Sequence, residues 1–244
     1  MAKEIKRTKK VYNRIAKDYY NLRTKKYREG WFYNELLEMP TTLKILGKIK
    51  NKKILDLGCG LGIYAKILTK KGAIVKGIDI SDKEIEIARR ENPGVELIVG
   101  DAEKTPYKNK EFDIVLAALV IGHLKDWSKI LKEVNRILKN KGLFIFSDGN
   151  PVVDCIRGIK KDKAVIVRNY FKEQKAVSKW WKGVYMHWYP KTYNTIINLL
   201  IKNGFELVDY MDCKPIEKAK KLFPQEYADA MKLPYFCTWK WRKK

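Results

Sequence analysis

The chain has 244 residues, 45% of them hydrophobic and 33% charged, with 15 Gly and 8 Pro. This is the length and composition of one elaborated α/β domain, and it excludes a disordered, collagen-like or mucin-like chain. Lys and Arg outnumber Asp and Glu by 52 to 28, a net charge of +24, but the excess runs from Lys3 to Lys244 with Lys far ahead of Arg. Charge spread so evenly attracts polyanions at long range without marking a site.

Apolar runs such as Ile114–Ile121 are far shorter than the roughly 20 residues of a membrane-spanning helix. Met1–Lys10 is basic with no apolar segment behind it, so a soluble, cytoplasmic protein without a signal peptide is expected. Cys59, Cys155, Cys213 and Cys237 form no CxxC pair and have no zinc-ligand spacing, which points to reduced thiols and no metal.

In chain order, residues 1–50 form an expected N-terminal helical cap. Helical periodicity runs through Val11–Tyr20 and Phe32–Ile49, the latter opened or kinked by Pro40. Residues 51–244 form the main domain. Strands are expected at Lys53–Leu57, Ala73–Ile80, Val95–Val99, Phe112–Ala118 and Leu143–Ser147, and helices at Tyr64–Lys71, Asp82–Glu91 and Trp127–Lys139. This alternation predicts βαβ units around a parallel sheet. Ser81 with Glu84 reads as a capping box, and Gly72 and Gly142 as C-cap glycines.

A connection from about residue 148 to 189 is read as an insertion after the fifth strand. It carries Tyr170, Phe171, Trp180, Trp181, Tyr185 and Trp188, and a segment this long inside a compact domain is usually functional. Lys191–Lys202 reads as a helix, and Phe205–Cys213 and Tyr235–Trp241 as neighbouring strands with Lys214–Pro234 as an excursion between them.

One segment concentrates the chemistry. Ile54-Leu-Asp56-Leu-Gly58-Cys-Gly60-Leu-Gly62 joins a strand, an acid, three alternating glycines and a helix start. Glycines let the backbone approach a nucleotide-like ligand at the carboxyl end of the strand, where helix N-terminal amides face it. Asp79 ends the second strand, where a carboxylate can accept from ribose hydroxyls. Asp101, in Gly100-Asp-Ala102, ends the third, where an acid can accept from an adenine amino group. A dinucleotide dehydrogenase uses similar parts, but its fingerprint is GxGxxG and not GxGxG.

From Lys52 to Ser147 the sequence resembles the class I S-adenosylmethionine-dependent methyltransferases, in the small-molecule branch of the ubiquinone and menaquinone biosynthesis enzymes. The resemblance rests on Asp56–Gly62, Gly77-Ile-Asp79, Gly100-Asp-Ala-Glu103, Phe112-Asp-Ile-Val115 and Val134–Lys139 followed by Gly142. Asn140-Lys-Gly142 departs from the family's Pro-Gly-Gly. The resemblance implies a Rossmann-like three-layer α/β sandwich, with a seven-stranded, mostly parallel sheet whose last strand is antiparallel. It implies S-adenosylmethionine as cofactor and S-adenosylhomocysteine as product. Asp56 and Gly58 would face the methionine part, Asp79 the ribose, and Asp101 with the Ala102 amide the adenine, with Gly60 and Ile80 also binding the cofactor. Ala118, in the segment Ala117–His123, would line the site beside the methyl group, and Tyr19 of the cap would cover the cofactor.

Methyl transfer from a sulfonium asks the protein mainly for alignment, exclusion of water and sometimes a base. His123 is the first candidate base and His187 the second, each set against an ordinary packing role; Tyr19 and Tyr20 are alternative pocket-forming residues. Arg157, Lys160, Lys161, Lys163, Arg168, Lys172, Lys175, Lys179, Lys182 and Lys191 make the insertion strongly basic. Two readings stand: a site for an acidic or aromatic small-molecule acceptor, or a solvated lysine face. An RNA methyltransferase is the alternative. Yet Ala117-Ala-Leu-Val120 replaces the Asn/Asp-Pro-Pro-aromatic motif of base-nitrogen enzymes, Cys155 and Cys213 lack the setting of a nucleophile, and no RNA-binding module is visible. An inactive methyltransferase-like scaffold is the second alternative, opposed by the intact acids and glycines.

Overall fold

The computed structural model describes residues 3–25, 29–153, 156–159, 165–167, 169–179 and 183–244. The chain opens with α1 (Lys3–Thr24), a short α2 (Glu29–Trp31), a π-helical turn (Phe32–Glu38) and α3 (Met39–Leu46). Next come β1 (Lys53–Leu57), α4 (Ile63–Lys70), β2 (Ile74–Asp79), α5 (Asp82–Glu91), β3 (Glu96–Val99), β4 (Phe112–Ala118), a 3-10 turn (Ile121–His123), α6 (Ser128–Ile137) and β5 (Leu138–Gly149). Two antiparallel hairpins follow, β6 (Ile156–Ile159) with β7 (Val165–Val167) and β8 (Ala176–Lys179) with β9 (Tyr185–Trp188). The chain closes with α7 (Tyr193–Lys202), β10 (Phe205–Asp212), α8 (Glu217–Leu222), α9 (Pro224–Ala230) and β11 (Phe236–Lys243).

The main sheet has the order β10-β11-β5-β4-β1-β2-β3. The pairs β1–β2, β1–β4, β2–β3 and β4–β5 are parallel, while β11 runs antiparallel to both neighbours. Side-chain alternation sorts its residues between two cores. Leu55, Val115, Ala117, Phe144 and Phe146 face α6 and α7 through Ile130, Val134, Ile196 and Leu200. Ile54, Ile114, Leu116 and Ile145 face α3, α4 and α5 through Ile45, Leu68, Ile85 and Ala88. Both faces are covered, the three-layer arrangement that continuous apolar strands require.

The terminal glycine of α4 behaves as expected. Gly72 has φ +82°, its N–H donates to Thr69 O (2.9 Å), and Ala73 N–H donates to Leu68 O (3.1 Å), closing a Schellman turn. Gly142 does not cap α6. That helix ends at Ile137, Leu138 is already extended, and β5 begins there, four residues before the expected turn is complete. The last carbonyls of α6 are met by the loop before β4, with Lys110 N–H on Arg136 O (2.9 Å) and Glu111 N–H on Ile137 O (2.8 Å). Gly142 instead permits close backbone approach, since a Cβ there would stand 2.9 Å from Lys139 O.

The expected helix over Phe32–Ile49 is divided. Pro40 has no N–H for Leu36 O, and that carbonyl accepts from Ile216 N–H (3.0 Å) at the start of α8, while Met39 N–H reaches back five residues to Asn34 O. The insertion is not one long loop, since it contains the two hairpins, and β5 extends beyond Ser147 to pair with β11 through Asp148 and Gly149. Cys155, Trp180, Trp181, Lys160, Lys161, Lys163, Arg168 and Lys182 lie outside the described residues.

Candidate functional site

At the carboxyl ends of β1, β2 and β4 a cavity of about 780 Å³ opens under the N-terminal helices. It falls within the roughly 300–1,000 Å³ range of small-molecule sites. Asp56, Gly58, Gly60, Asp79, Ile80, Asp101, Ala102, Ala118, Tyr19 and His123 all line it. The ring of His187 does not line it.

Gly58 has φ +76°, and a Cβ added to it would stand 2.5 Å from Val120 Cγ2, so the turn tolerates no side chain. Gly60 N–H donates to Asp79 Oδ2 (2.9 Å) and Ser81 N–H to Asp79 Oδ1 (2.7 Å), so one carboxylate binds the glycine loop to the entry of α5. Asp56 is buried. Loss of hydration and the neighbouring Asp79 push its carboxyl up to about 7, and its Oδ2 has no protein partner. Asp101 Oδ1 accepts from Glu103 N–H (2.9 Å).

The other half of the cavity comes from distant parts of the chain. Helix α1 packs Ile15 against Val184 and Met186 beside β9, with Tyr12 and Tyr19 next to them. Asn13 fastens α1 to α5 by accepting from Ser81 Oγ (2.7 Å) and donating to Asp82 (2.9 Å). Tyr33, Met186, Trp188 and Phe236 complete an aromatic and thioether wall. The indole Nε1 of Trp188 is shielded from solvent and has no protein partner. Arg23, pointing from α1, donates to Glu35 (2.8 Å) and to the Tyr19 hydroxyl (3.0 Å).

His123 Nδ1 lies 3.0 Å from the His187 carbonyl and Nε2 3.2 Å from the Tyr12 hydroxyl. A carbonyl only accepts, so Nδ1 carries the proton and Nε2 accepts from Tyr12. Burial lowers the imidazole pKa from its ordinary value, against a smaller opposing effect of the His187 carbonyl, and keeps the ring neutral at pH 7. His187 therefore contributes its main chain. Its ring is half-buried, and its Nδ1 has no partner.

The cavity reverses the sign of the whole protein. Its charged lining among the described residues is Arg23 and seven carboxylates. Of the basic residues of the insertion whose side chains are described, Lys172 and Lys175 are exposed. Lys191 donates to Lys125 O (3.1 Å) and lies over the Trp127 ring at 5.5 Å. None of the three lines the cavity; Lys172 and Lys175 are solvated, and Lys191 is partly buried against Trp127. Cys213 is buried beside Thr238 Oγ1 (3.6 Å), away from the lining.

Sequence reasoning missed Tyr12, Arg23 and Trp188 as lining residues, and it read Glu84 only as a cap. The signal for Tyr12 and Arg23 was present in α1, where they share a helix face with Tyr19 at spacings of seven and four.

The cavity suits the expected cofactor. The glycine turn admits close backbone approach, and acids end three successive strands. The shielded Asp56 Oδ2 lacks the donor that an ammonium group would provide. Among the described residues no helix is long and apolar enough to cross a membrane.

A family model described as "Methyltransferase domain" matches residues 55–146. An uncharacterized protein of Methanocaldococcus jannaschii is 31% identical over 206 residues, covering 82% of this chain and 76% of that one. A demethylmenaquinone methyltransferase of Thermotoga maritima is 32% identical over 105 residues, 42% of this chain and 46% of that enzyme. The crystal structure of an S-adenosylmethionine-dependent methyltransferase from Mesorhizobium loti superposes with a TM-score of 0.74 at 26% identity, over 84% of this chain and 97% of that one. With this fold, this glycine loop and these relatives, the chain belongs to the class I S-adenosylmethionine-dependent methyltransferases and is an enzyme that uses S-adenosylmethionine as its cofactor.

Proposed function

We propose that the enzyme methylates a small molecule with an aromatic ring, bound in the outer half of the cavity. The observation that carries this reading is the continuity of one cavity from the glycine loop to the wall of Tyr12, Tyr19, Tyr33, Trp188 and Phe236. Flat apolar rings suit such walls, and the unpartnered Trp188 N–H suits an oxygen on the ring. The partial similarity to a demethylmenaquinone methyltransferase and to a Pelagibacter ubique ubiquinone biosynthesis O-methyltransferase supports the same class of acceptor.

In this reading Asp56 and the Gly58 backbone would hold the methionine part of the cofactor, Asp79 the ribose, and Asp101 with the Ala102 amide the adenine, with Gly60 and Ile80 also in contact with the cofactor. Ala118 would line the site beside the methyl group and Tyr19 would cover the cofactor. S-adenosylmethionine, when bound, supplies a methyl group on a sulfonium with a good leaving group. The protein aligns the nucleophile and keeps water out through α1 and β9.

His123 acts as base through Tyr12. The Tyr12 hydroxyl accepts the proton of the nucleophile while passing its own to His123 Nε2, and the His187 carbonyl steadies the resulting imidazolium through Nδ1–H. Burial opposes that positive charge, so the relay works in the transition state and does not store the proton. The test is methyl transfer to panels of phenols, quinols and aromatic amines, with bulk tRNA assayed in parallel. Turnover confined to ring compounds supports the reading, and turnover confined to tRNA refutes it.

A further inference from the structure

Glu84 stands at the third position of α5 and is only 3% exposed. Its own N–H donates to Ser81 Oγ (3.2 Å), as a capped helix requires, but the reciprocal half of the capping box is missing. The Ser81 N–H that Glu84 would accept is held by Asp79 Oδ1. The Glu84 carboxyl instead lines the cavity, with Oε2 3.0 Å from the point where a Cβ on Gly60 would stand. Its Oε1 is shielded from solvent and has no hydrogen-bond partner.

Two acids thus flank one glycine. Asp79 grips the Gly60 N–H, and Glu84 faces the open side of its Cα. Each Asp79 oxygen already accepts one backbone N–H, whereas Glu84 Oε1 accepts nothing. The hydrogen bonds of Arg23, whose charge is felt at Glu84, go to Glu35 and Tyr19. A buried acceptor left unmade is costly, so this arrangement waits for a ligand donor.

We propose that Glu84 is a second binding residue for the cofactor ribose, taking one of the two vicinal hydroxyls while Asp79 takes the other. The inference rests on the cofactor lying in the glycine-loop half of the cavity. Position selects the hydroxyls over the ammonium group: Glu84 lies across Gly60 from Asp79, the acid that ends β2. Burial and the neighbouring Asp79 push the Glu84 carboxyl up, against a smaller opposing effect of Arg23, which disfavours a second fixed charge beside the same glycine. The ammonium is matched by Asp56, whose Oδ2 is, with Glu84 Oε1, a solvent-shielded acid oxygen of the lining without a protein partner among the described residues.

The test is calorimetric titration of S-adenosylhomocysteine, its 2′-deoxy and 3′-deoxy counterparts, and 5′-methylthioadenosine. The proteins are wild type, Glu84→Leu, Glu84→Gln and Asp79→Asn, each checked for an unchanged melting transition. Glu84→Leu is expected to lose about tenfold in affinity for S-adenosylhomocysteine and to become indifferent to removal of one hydroxyl. Glu84→Gln, which keeps a donor and an acceptor, is expected to retain most of the affinity. Asp79→Asn is expected to keep its discrimination at the hydroxyl that Glu84 serves, and this holds the proposal open to refutation even if Glu84→Leu fails to fold.

The proposal falls if Glu84→Leu penalises both deoxy compounds as wild type does, or if Asp79→Asn alone abolishes all discrimination. It also falls if the Glu84→Leu loss vanishes with methylthioadenosine, because Glu84 would then serve the amino-acid end. Wild-type protein that binds none of the compounds refutes the placement of the cofactor itself, a failure visible before any variant is compared.

Discussion

The two halves of the cavity are built on different principles. The glycine-loop half, where the cofactor is proposed to lie, comes from three consecutive βα turns, whose acids and glycines lie between Asp56 and Ala102 and are held by short backbone bonds such as Gly60 N–H to Asp79. The acceptor half joins α1, the π-helical turn, the 3-10 turn after β4, β9 and the start of β11, elements up to about two hundred residues apart. Its key bond, Tyr12 to His123, spans 111 positions. The first half rests on the central sheet. In the second, the π-helical turn and β11 pack on a core of their own around Phe32, Leu37 and Phe223, while α1 and β9 meet through a small satellite cluster of Ile15, Val184 and Met186. The α1–β9 contact, held by few apolar side chains, therefore opens at lower free energy than the strands of the central sheet.

The largest expected effect breaks the rigid half. Gly58→Ala forces a positive φ on a residue with a Cβ and drives it into Val120. Left-handed strain of roughly 1–2 kcal/mol plus a clash of similar size predicts about a 100-fold loss of S-adenosylhomocysteine affinity in calorimetry. A loss below threefold would show that the turn tolerates a side chain.

Breaking the other half should leave the cofactor in place. Ile15→Ala removes a buried anchor of α1 worth about 2 kcal/mol at the low end for such sites. Hydrogen exchange in α1 and β9 should accelerate by about 30-fold, while S-adenosylhomocysteine affinity changes by less than about threefold. Uniform acceleration across β1, β4 and β5 would mean that the two halves unfold together.

Tyr12→Phe sharpens the comparison further. It keeps the ring, edge-on to His123 with centroids 5.9 Å apart, and deletes the hydroxyl. Turnover should fall about tenfold or more with cofactor affinity unchanged. The wild-type rate should be level at neutral pH and decline on the acid side below the ordinary imidazole value, because His123 must be neutral to accept a proton. An equal loss in cofactor affinity would make Tyr12 a structural residue.

The smallest effect is a pH dependence of the cofactor half. The folded-state value of Asp56, about 7, lies above the ordinary carboxylate value of about 3.9. Between those values the folded protein keeps a proton that the unfolded chain has released, so stability falls as pH rises from about 4 to 7. Asp56→Asn should flatten that part of the melting-temperature profile, and bound S-adenosylmethionine, whose ammonium favours the ionised acid, should flatten it too. An unchanged slope in Asp56→Asn would assign the effect to other buried acids.

Legibility followed the same division. The positions of the central strands, the glycine turn and the acids at the strand ends could be read directly, because each depends on neighbours within a few residues. Two local rules nevertheless failed. Gly142 looked like a C-cap, but the 110–111 loop supplies the donors for α6, and the glycine is needed for close backbone approach. Ser81 and Glu84 looked like a complete capping box, but Asp79 occupies the amide that Glu84 would have taken. In both cases a partner outside the local window outcompeted the local one.

The amino-acid sequence by itself determined the class of fold and the place of the glycine turn and strand-end acids, since hydrophobic periodicity and backbone conformation are local properties, and the cofactor followed from the family resemblance that those motifs carry. Tertiary structure alone decided which nitrogen of His123 carries the proton, that His187 serves through its carbonyl, and that a strongly basic chain encloses an acidic cavity. Hydrogen-bond direction, burial and charge balance depend on which distant groups meet, and only packing of the chain brings those groups together.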